Sequence, residues 1–275
     1  MVFDISDKLL LQTVNLITLA GQSVIQVYSE PFDVEYKEDN SPLTSADMIS
    51  NLVISSGLKV TEYPLVLSEE MAQVPYEERK NWKNFWLVDP LDGTKEFVKR
   101  NGEFTVNIAL ISDGLPVFGL IYLPVPKTLY FAIKGQGAYR ILNADVIVYN
   151  KDEQLMKSEL MKNAERLPLK GNARDYTIIA SRSHLSSETE AFINKEKEKH
   201  KNINTISAGS SIKFCLVAEG RADAYPRFAP TMEWDTAAGQ IIVEETGKRV
   251  LNMETKEVLS YNKKSLLNPS FLVVA

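Results

Sequence analysis

Four apolar segments at residues 106–111, 117–123, 129–133 and 138–141 are separated only by Asp113-Gly114, Pro124-Val125-Pro126 and Gly135-Gln136-Gly137. Breaks of that length and composition are turn chemistry, so the region reads as an antiparallel meander. Upstream, Leu10, Val14, Ile17, Gly21, Val24 and Tyr28 recur at helical steps and predict a helix over 7–28 with one buried stripe. Thr44-Ser45-Ala46-Asp47 leads into a second helix and places Asp47 near its first turn. Segments 65–67 and 85–88 read as short buried strands, and each runs into acidic residues. The second of these strands is expected to end at Val88, with a turn at Gly93 bringing Asp92 back towards Asp89.

Residues 143–172 carry no clear pattern and read as a connection between two lobes, divided as 1–170 and 171–275. Beyond it, strands at 176–180 and 203–207 alternate with helices starting at Ser187 and at Ser210 and running over 236–245, before a final hairpin and a strand at 271–274. The expected class is thus an α+β first lobe joined to an α/β second lobe.

At 275 residues the chain is near the upper limit for one core. Its net charge of −5 argues against long nucleic acid as a partner but leaves room for a local basic pocket. The single cysteine, Cys215, sits in an apolar stretch and reads as a buried thiol without a disulfide partner. The longest apolar runs are too short to span a bilayer, and Asp4 and Asp7 stand where a signal peptide would be basic. The expected location is cytoplasmic, with peripheral contact at the inner face of the membrane left open, as is the oligomeric state.

The chemistry concentrates at Asp89-Pro90-Leu91-Asp92-Gly93-Thr94. Pro90 disfavours a helical Asp89, so its side chain is presented at the strand's end. Two carboxylates and the Leu91 carbonyl can then converge, a donor set that suits Mg²⁺. With only two histidines in the chain, zinc does not fit. Each acid also has a plainer reading: Asp89 and Asp92 as turn or cap residues, Asp235 as a helix cap, and Glu69-Glu70 as a solvated pair.

Leu67-Ser68-Glu69-Glu70, Trp86-Leu87-Val88-Asp89-Pro90-Leu91-Asp92-Gly93-Thr94-Lys95-Glu96-Phe97 and Glu233-Trp234-Asp235-Thr236-Ala237-Ala238-Gly239, in that order, resemble the inositol monophosphatase superfamily. Lys95-Glu96 and the following Asn101-Gly102-Glu103-Phe104-Thr105-Val106-Asn107 resemble its 3'(2'),5'-bisphosphate nucleotidase branch. The resemblance implies a two-lobed, layered αβαβα sandwich of the sugar-phosphatase kind. It implies hydrolysis of 3'-phosphoadenosine 5'-phosphate with two or three Mg²⁺ ions, and inhibition by Li⁺. Carried over by position, the metal ligands would be Glu69, Asp89, the Leu91 carbonyl, Asp92 and Asp235. Asp47 and Thr94 would handle the proton. Substrate contacts would fall on Gly93, Thr94, Asp235, Ser181, His184, Ser210, Lys213 and Arg227. Rival readings are an inositol or fructose 1,6-bisphosphate phosphatase and a nucleotide sensor without turnover.

Overall fold

In the computed structural model, residues 3–37, 42–71, 74–144, 153–171, 174–181 and 186–274 are described. The chain opens with helix α1 (Asp7–Ser29), whose cap is Ser6 accepting from the Leu9 N–H, then a small hairpin of β1 (Glu35–Tyr36) and β2 (Pro42–Leu43), and helix α2 (Ser45–Leu58). Strand β3 (Val66–Ser68), the short helix α3 (Tyr76–Arg79), strand β4 (Asn84–Asp92) and the turn-like helix α4 (Thr94–Val98) follow. The meander is present as β5 (Thr105–Ser112), β6 (Leu115–Leu123), β7 (Thr128–Ile133) and β8 (Gly137–Ile141). The segment expected to be a bare connection instead holds helix α5 (Glu153–Lys162) and strand β9 (Ala164–Arg166), and β9 pairs with β8. Nothing in its mixed, charged sequence marks β9; the free edge of β8 supplies the pairing.

Seven strands in the order β3-β4-β5-β6-β7-β8-β9 form the large sheet, antiparallel except for β3 beside β4. The second sheet is built from β10 (Tyr176–Ser181), β11 (Ile203–Ala208), β12 (Ala224–Arg227), β13 (Arg249–Asn252) and β14 (Phe271–Val274), in the order β11-β10-β12-β14-β13. Strand β12 carries Arg227 and has no counterpart in the sequence reading, because four residues containing a proline give too little pattern. Helices α6 (Ser187–Lys197), α7 (Ile212–Ala218) and α8 (Glu233–Glu244) complete the described chain.

Residue parity sets the layers. In the large sheet, Trp86, Val88, Ile108, Leu110, Phe118 and Leu120 face α1 and α2, whereas Phe85, Leu87, Ala109, Ile111, Ile121 and Ala132 face α8. Both faces are covered, which is why these strands read as continuous apolar runs rather than alternating ones. Ile179, Tyr225, Phe271 and Val273 of the second sheet join the same core as α7 and α8, while α6 touches β12. The result is the layered αβαβα sandwich, with mixed sheets. Each of the fully buried large side chains, Trp86 and Phe118 among them, contributes about 2–3 kcal/mol of burial. Trp86 also donates its ring N–H to the Tyr63 carbonyl at 2.8 Å, and Trp234 is buried, so both are core residues as expected.

Helix α8 lies hard against the sheet because Gly119 leaves space for it. A Cβ there would stand 2.5 Å from Ile241 Cγ2 and 3.0 Å from Ala238 Cα. Helix α1 is long and apolar enough to cross a membrane by length and composition, a test that a core helix also passes. Leu10, Val14, Ile17 and Val24 of its stripe are buried in the core beneath the large sheet.

Candidate metal and phosphate site

Strand β4 does not stop at Val88 but continues to Asp92, with an irregularity in its pairing to β5. Asp89 pairs with Asn107 and Asp92 with Thr105, so three steps on β4 oppose two on β5. That extra residue is a bulge, and it falls at Pro90, which has no N–H to give the ladder. Its consequence is chemical. Asp89 shares the parity of Phe85 and Leu87 and faces α8; without the bulge Asp92 would face α1 and α2 instead. The bulge puts both aspartates on one face, and Ser50 Oγ fixes it from α2 by donating to the Pro90 carbonyl at 2.7 Å.

Glu69 follows β3 directly and is tied to β4 by its N–H to the Val88 carbonyl, 3.2 Å. Asp235 stands in the first turn of α8, which starts at Glu233 rather than near residue 236; its Oδ2 accepts from the Met232 N–H at 2.8 Å. Carboxylate oxygens of Glu69, Asp89 and Asp235 all lie within 4.8 Å of one another. Asp92 adjoins them, with Oδ2 accepting from Ser211 Oγ at 2.7 Å and Asn107 Nδ2 at 3.3 Å. The Leu91 carbonyl accepts from Thr94 Oγ1 at 3.2 Å, and the Leu91 N–H donates to Asp89 Oδ1 at 3.1 Å.

Burial pushes Asp89 well above the ordinary carboxylate range, and the charges of Glu69, Asp92 and Asp235 push it further. Asp235 is raised well above its usual value by burial, then by Asp92 and Glu69. Glu69 is raised by burial against the opposing pull of Lys37, whose ammonium reaches Glu69 Oε1 at 2.8 Å and also pairs with Glu70. Among the described residues Lys37 offsets the charge of Glu69, but no cation pairs directly with Asp89 or Asp235, and such crowding of buried acids calls for further positive charge. An all-oxygen donor set in that condition fits a hard divalent cation. Among the described residues no histidine joins it; His200 stacks on Tyr176 with ring centroids 3.8 Å apart.

Asp47 is the third residue of α2. Its Oδ2 accepts from the Thr44 N–H at 2.8 Å and the Thr44 hydroxyl at 2.7 Å, closing a capping box. Its Oδ1 accepts from Thr94 Oγ1 at 3.2 Å, so the expected pair is in contact. Burial raises the Asp47 carboxyl, partly offset by the Thr44 hydrogen bonds. Thr94 is delivered by Gly93, whose φ of +94° lets the chain turn from β4 into α4.

A cavity of about 120 Å³ opens beside the acids, with Asp92, Gly93, Ser210, Lys213, Arg227 and Asp235 in its lining. Ser210 precedes α7, which begins at Ile212 rather than at residue 210, and takes a positive φ of +43°. Its hydroxyl and Arg227 Nε are buried without a hydrogen-bond partner among the described residues. Lys213 donates to the Ser210 carbonyl at 2.6 Å and lies over the Tyr225 ring at 5.5 Å. Burial lowers its amine to about 8. Thus Ser210, Lys213 and Arg227 come together at the cavity. Ser181 is described only as the last backbone position of β10, and His184 lies outside the described residues.

Sequence reasoning passed over Lys37, Asn107 and Ser211. The signal for Asn107 was available: Thr105 and Asn107 are polar at alternate positions of an otherwise apolar strand, on the face that carries the acids.

The inositol monophosphatase family profile matches residues 6–273. The chain belongs to the inositol monophosphatase family. Within it, the chain is 42% identical over 265 residues to the 3'(2'),5'-bisphosphate nucleotidase CysQ of Escherichia coli K12, covering 95% of this chain and 98% of that one. The Salmonella typhimurium nucleotidase of the same name is 40% identical over 264 residues, again covering 95% and 98%. Among solved structures, CysQ from Bacteroides thetaiotaomicron, a bacterial member of the family, superposes with a TM-score of 0.87 at 47% identity, covering 96% of each chain.

Proposed function

We propose that this family member is a Mg²⁺-dependent phosphomonoesterase that converts 3'-phosphoadenosine 5'-phosphate to AMP and phosphate. The observation that carries the reading is the convergence of Glu69, Asp89 and Asp235 within 4.8 Å, next to a cavity lined by Lys213 and Arg227. Acids of that density would repel a phosphate dianion by themselves, and the adjoining cationic wall suits a second phosphate that is not cleaved. The nucleotidase relatives at 40–42% identity favour a bisphosphorylated nucleotide over an inositol phosphate.

Glu69, Asp89, the Leu91 carbonyl, Asp92 and Asp235 would hold two or three Mg²⁺ ions. Bound there, the ions supply charge neutralisation on the phosphoryl oxygens and lower the pKa of water. Asp47 Oδ1 holds the Thr94 hydroxyl in place, so that this hydroxyl orients the attacking water and passes its proton to Asp47. A threonine alone is too weak a base for that step. The Gly93 turn brings its backbone to the cavity, where Ser210, Lys213 and Arg227 hold the retained phosphate. Asp235 borders both metal and substrate, and Ser181 and His184 belong to the same proposal as contacts to the adenosine. A cytoplasmic location goes with it.

The test is phosphate release from 3'-phosphoadenosine 5'-phosphate, inositol 1-phosphate and fructose 1,6-bisphosphate with Mg²⁺, with and without Li⁺. The expected result is preferential, Li⁺-sensitive hydrolysis of the nucleotide. Preference for a sugar phosphate overturns the substrate, and binding without phosphate release at saturating Mg²⁺ overturns the enzyme.

A further inference from the structure

Ser211 is buried at 1% exposure, and its hydroxyl lies between two acids of the site. Its Oγ is 2.7 Å from Asp92 Oδ2, 3.0 Å from the Asp235 carbonyl and 3.0 Å from Asn107 Nδ2. Asn107 is equally buried, and the same Nδ2 lies 3.3 Å from Asp92 Oδ2. The amide orientation follows from charge: its oxygen facing that carboxylate would be repelled, so the NH₂ faces Asp92 and Ser211. An NH₂ group only donates, so the Ser211 oxygen accepts from it. The single hydroxyl proton is then left for an acceptor, and a carboxylate outcompetes a neutral carbonyl. The chain of donation runs from Asn107 to Ser211 to Asp92.

This relay has a directional consequence. Thr105 Oγ1 also stands 3.5 Å from Oδ2, so the neutral donors gather on one oxygen of Asp92. The other oxygen, Oδ1, has no hydrogen bond among the described residues and is the one left for a cation. Ser211 also joins β4 to the caps of α7 and α8 across 119 and 24 residues of sequence, so it registers the two halves of the site against each other.

Resting on the metal-dependent reading above, the geometry points to Ser211 and Asn107 as positioning residues. They saturate Asp92 Oδ2 and leave Oδ1 free to face a metal ion. Asn107 lies outside the cavity's lining, and Ser211, which borders it, has its hydroxyl taken up by Asp92 and Asn107. Partners of this kind on a ligating carboxylate change metal affinity by about 10–100-fold when removed.

The experiment titrates metal-free protein with Mn²⁺ and follows the free aqueous ion by electron paramagnetic resonance. It is run for the wild type, Ser211→Ala and Asn107→Ala, with metal-free Tm measured alongside. Both substitutions shorten a side chain, and Asn107→Ala also removes a buried Oδ1 that has no partner among the described residues. Expected is a loss of at least about tenfold in affinity for one ion, with the binding of any further ion unchanged. The Mg²⁺ concentration for half-maximal activity should rise in parallel, with turnover at saturating Mg²⁺ within a few-fold of wild type. Binding curves that superimpose on the wild type, or weaken for every ion alike, overturn the positioning role. A wild type that binds no Mn²⁺ overturns the metal-dependent reading itself, which keeps the two failures apart. A metal-free variant that loses its cooperative melt while the other variant binds as the wild type does overturns the relay as well.

Discussion

Asp89→Asn is expected to stabilise the metal-free protein while abolishing most of its response to Mg²⁺. Asp89 is 1% exposed and shares a space with carboxylate oxygens of Glu69 and Asp235 no more than 4.8 Å away. Two unit charges at that separation repel by about 3.5 kcal/mol at an effective dielectric of 20. The protein can escape by keeping Asp89 protonated, which at pH 7 costs about 4 kcal/mol for a carboxyl whose ordinary pKa is near 3.9. The smaller route bounds the penalty, so relief of about 2–4 kcal/mol is expected. Asparagine keeps the volume, and its oxygen can still accept from the Leu91 N–H as Asp89 Oδ1 does at 3.1 Å. The sign follows from the raised folded-state pKa values of Glu69, Asp89 and Asp235. Groups raised in the folded state contribute stability below their unfolded pKa and lose it as pH rises through the folded value. The metal-free wild type should therefore lose stability from acid towards neutral pH on account of this cluster, and the variant should lose less. Thermal unfolding at pH 5 and pH 8, with EDTA or with Mg²⁺, reads both effects. A shift of several degrees upward is expected for the metal-free variant at pH 8, because 1 kcal/mol moves Tm by about 2–4 °C in chains somewhat smaller than this. A metal-free Asp89→Asn that melts below the wild type, with an undiminished Mg²⁺ response, would refute the reasoning.

Asp47→Asn and Thr94→Ala should each lower kcat by about 10²-fold or more while Mn²⁺ affinity changes little, as steady-state kinetics paired with metal titration would show. Gly119→Ala should destabilise by about 1–3 kcal/mol in urea unfolding, since α8 has no space to retreat from a Cβ 2.5 Å from Ile241. Glu244 is pushed up to about 7 by burial, despite the hydrogen bond from Gln240. Its contribution is present below about pH 4.5 and lost by about pH 7, so Glu244→Gln should gain about 1–3 kcal/mol at pH 8 and little at pH 4.

Much of this was legible in the chain because the informative features are local. The meander is spelled by short turns, and α1 by its stripe. The acids of β4 are adjacent in sequence, so their strand context could be read directly. The bulge could not: it exists only as a count of β4 against β5, and Pro90 marks it only once the pairing is known. For the same reason β9 and β12 were invisible, since three or four residues acquire strand geometry from neighbours distant in sequence. Ser211 belongs with them. It ends a run of five small residues, Ser207-Ala208-Gly209-Ser210-Ser211, and only the placing of the start of α7 beside Asp92 and Asp235 gives it hydroxyl contacts that the Ser210 hydroxyl lacks.

The acids show how two readings that the sequence left open can hold together. Asp235 reads equally as a helix cap or as a metal ligand, and Asp89 and Asp92 as turn residues or as ligands. A carboxylate has two oxygens, and here the structural and chemical roles divide between them. Oδ2 of Asp235 takes the Met232 N–H, Oδ2 of Asp47 the Thr44 N–H and hydroxyl, Oδ2 of Asp92 the Ser211 and Asn107 donors, and Oδ1 of Asp89 the Leu91 N–H. In Asp47 the other oxygen visibly meets Thr94. Anchoring one oxygen to the backbone or to a buried donor fixes where the other points, which is what a site needs if its ligands are to be held in place before the ion arrives. Capping is therefore compatible with the proposed roles: the helix starts of α2 and α8 supply rigid mounts for Asp47 and Asp235, and the proposal uses the oxygen that the cap leaves over.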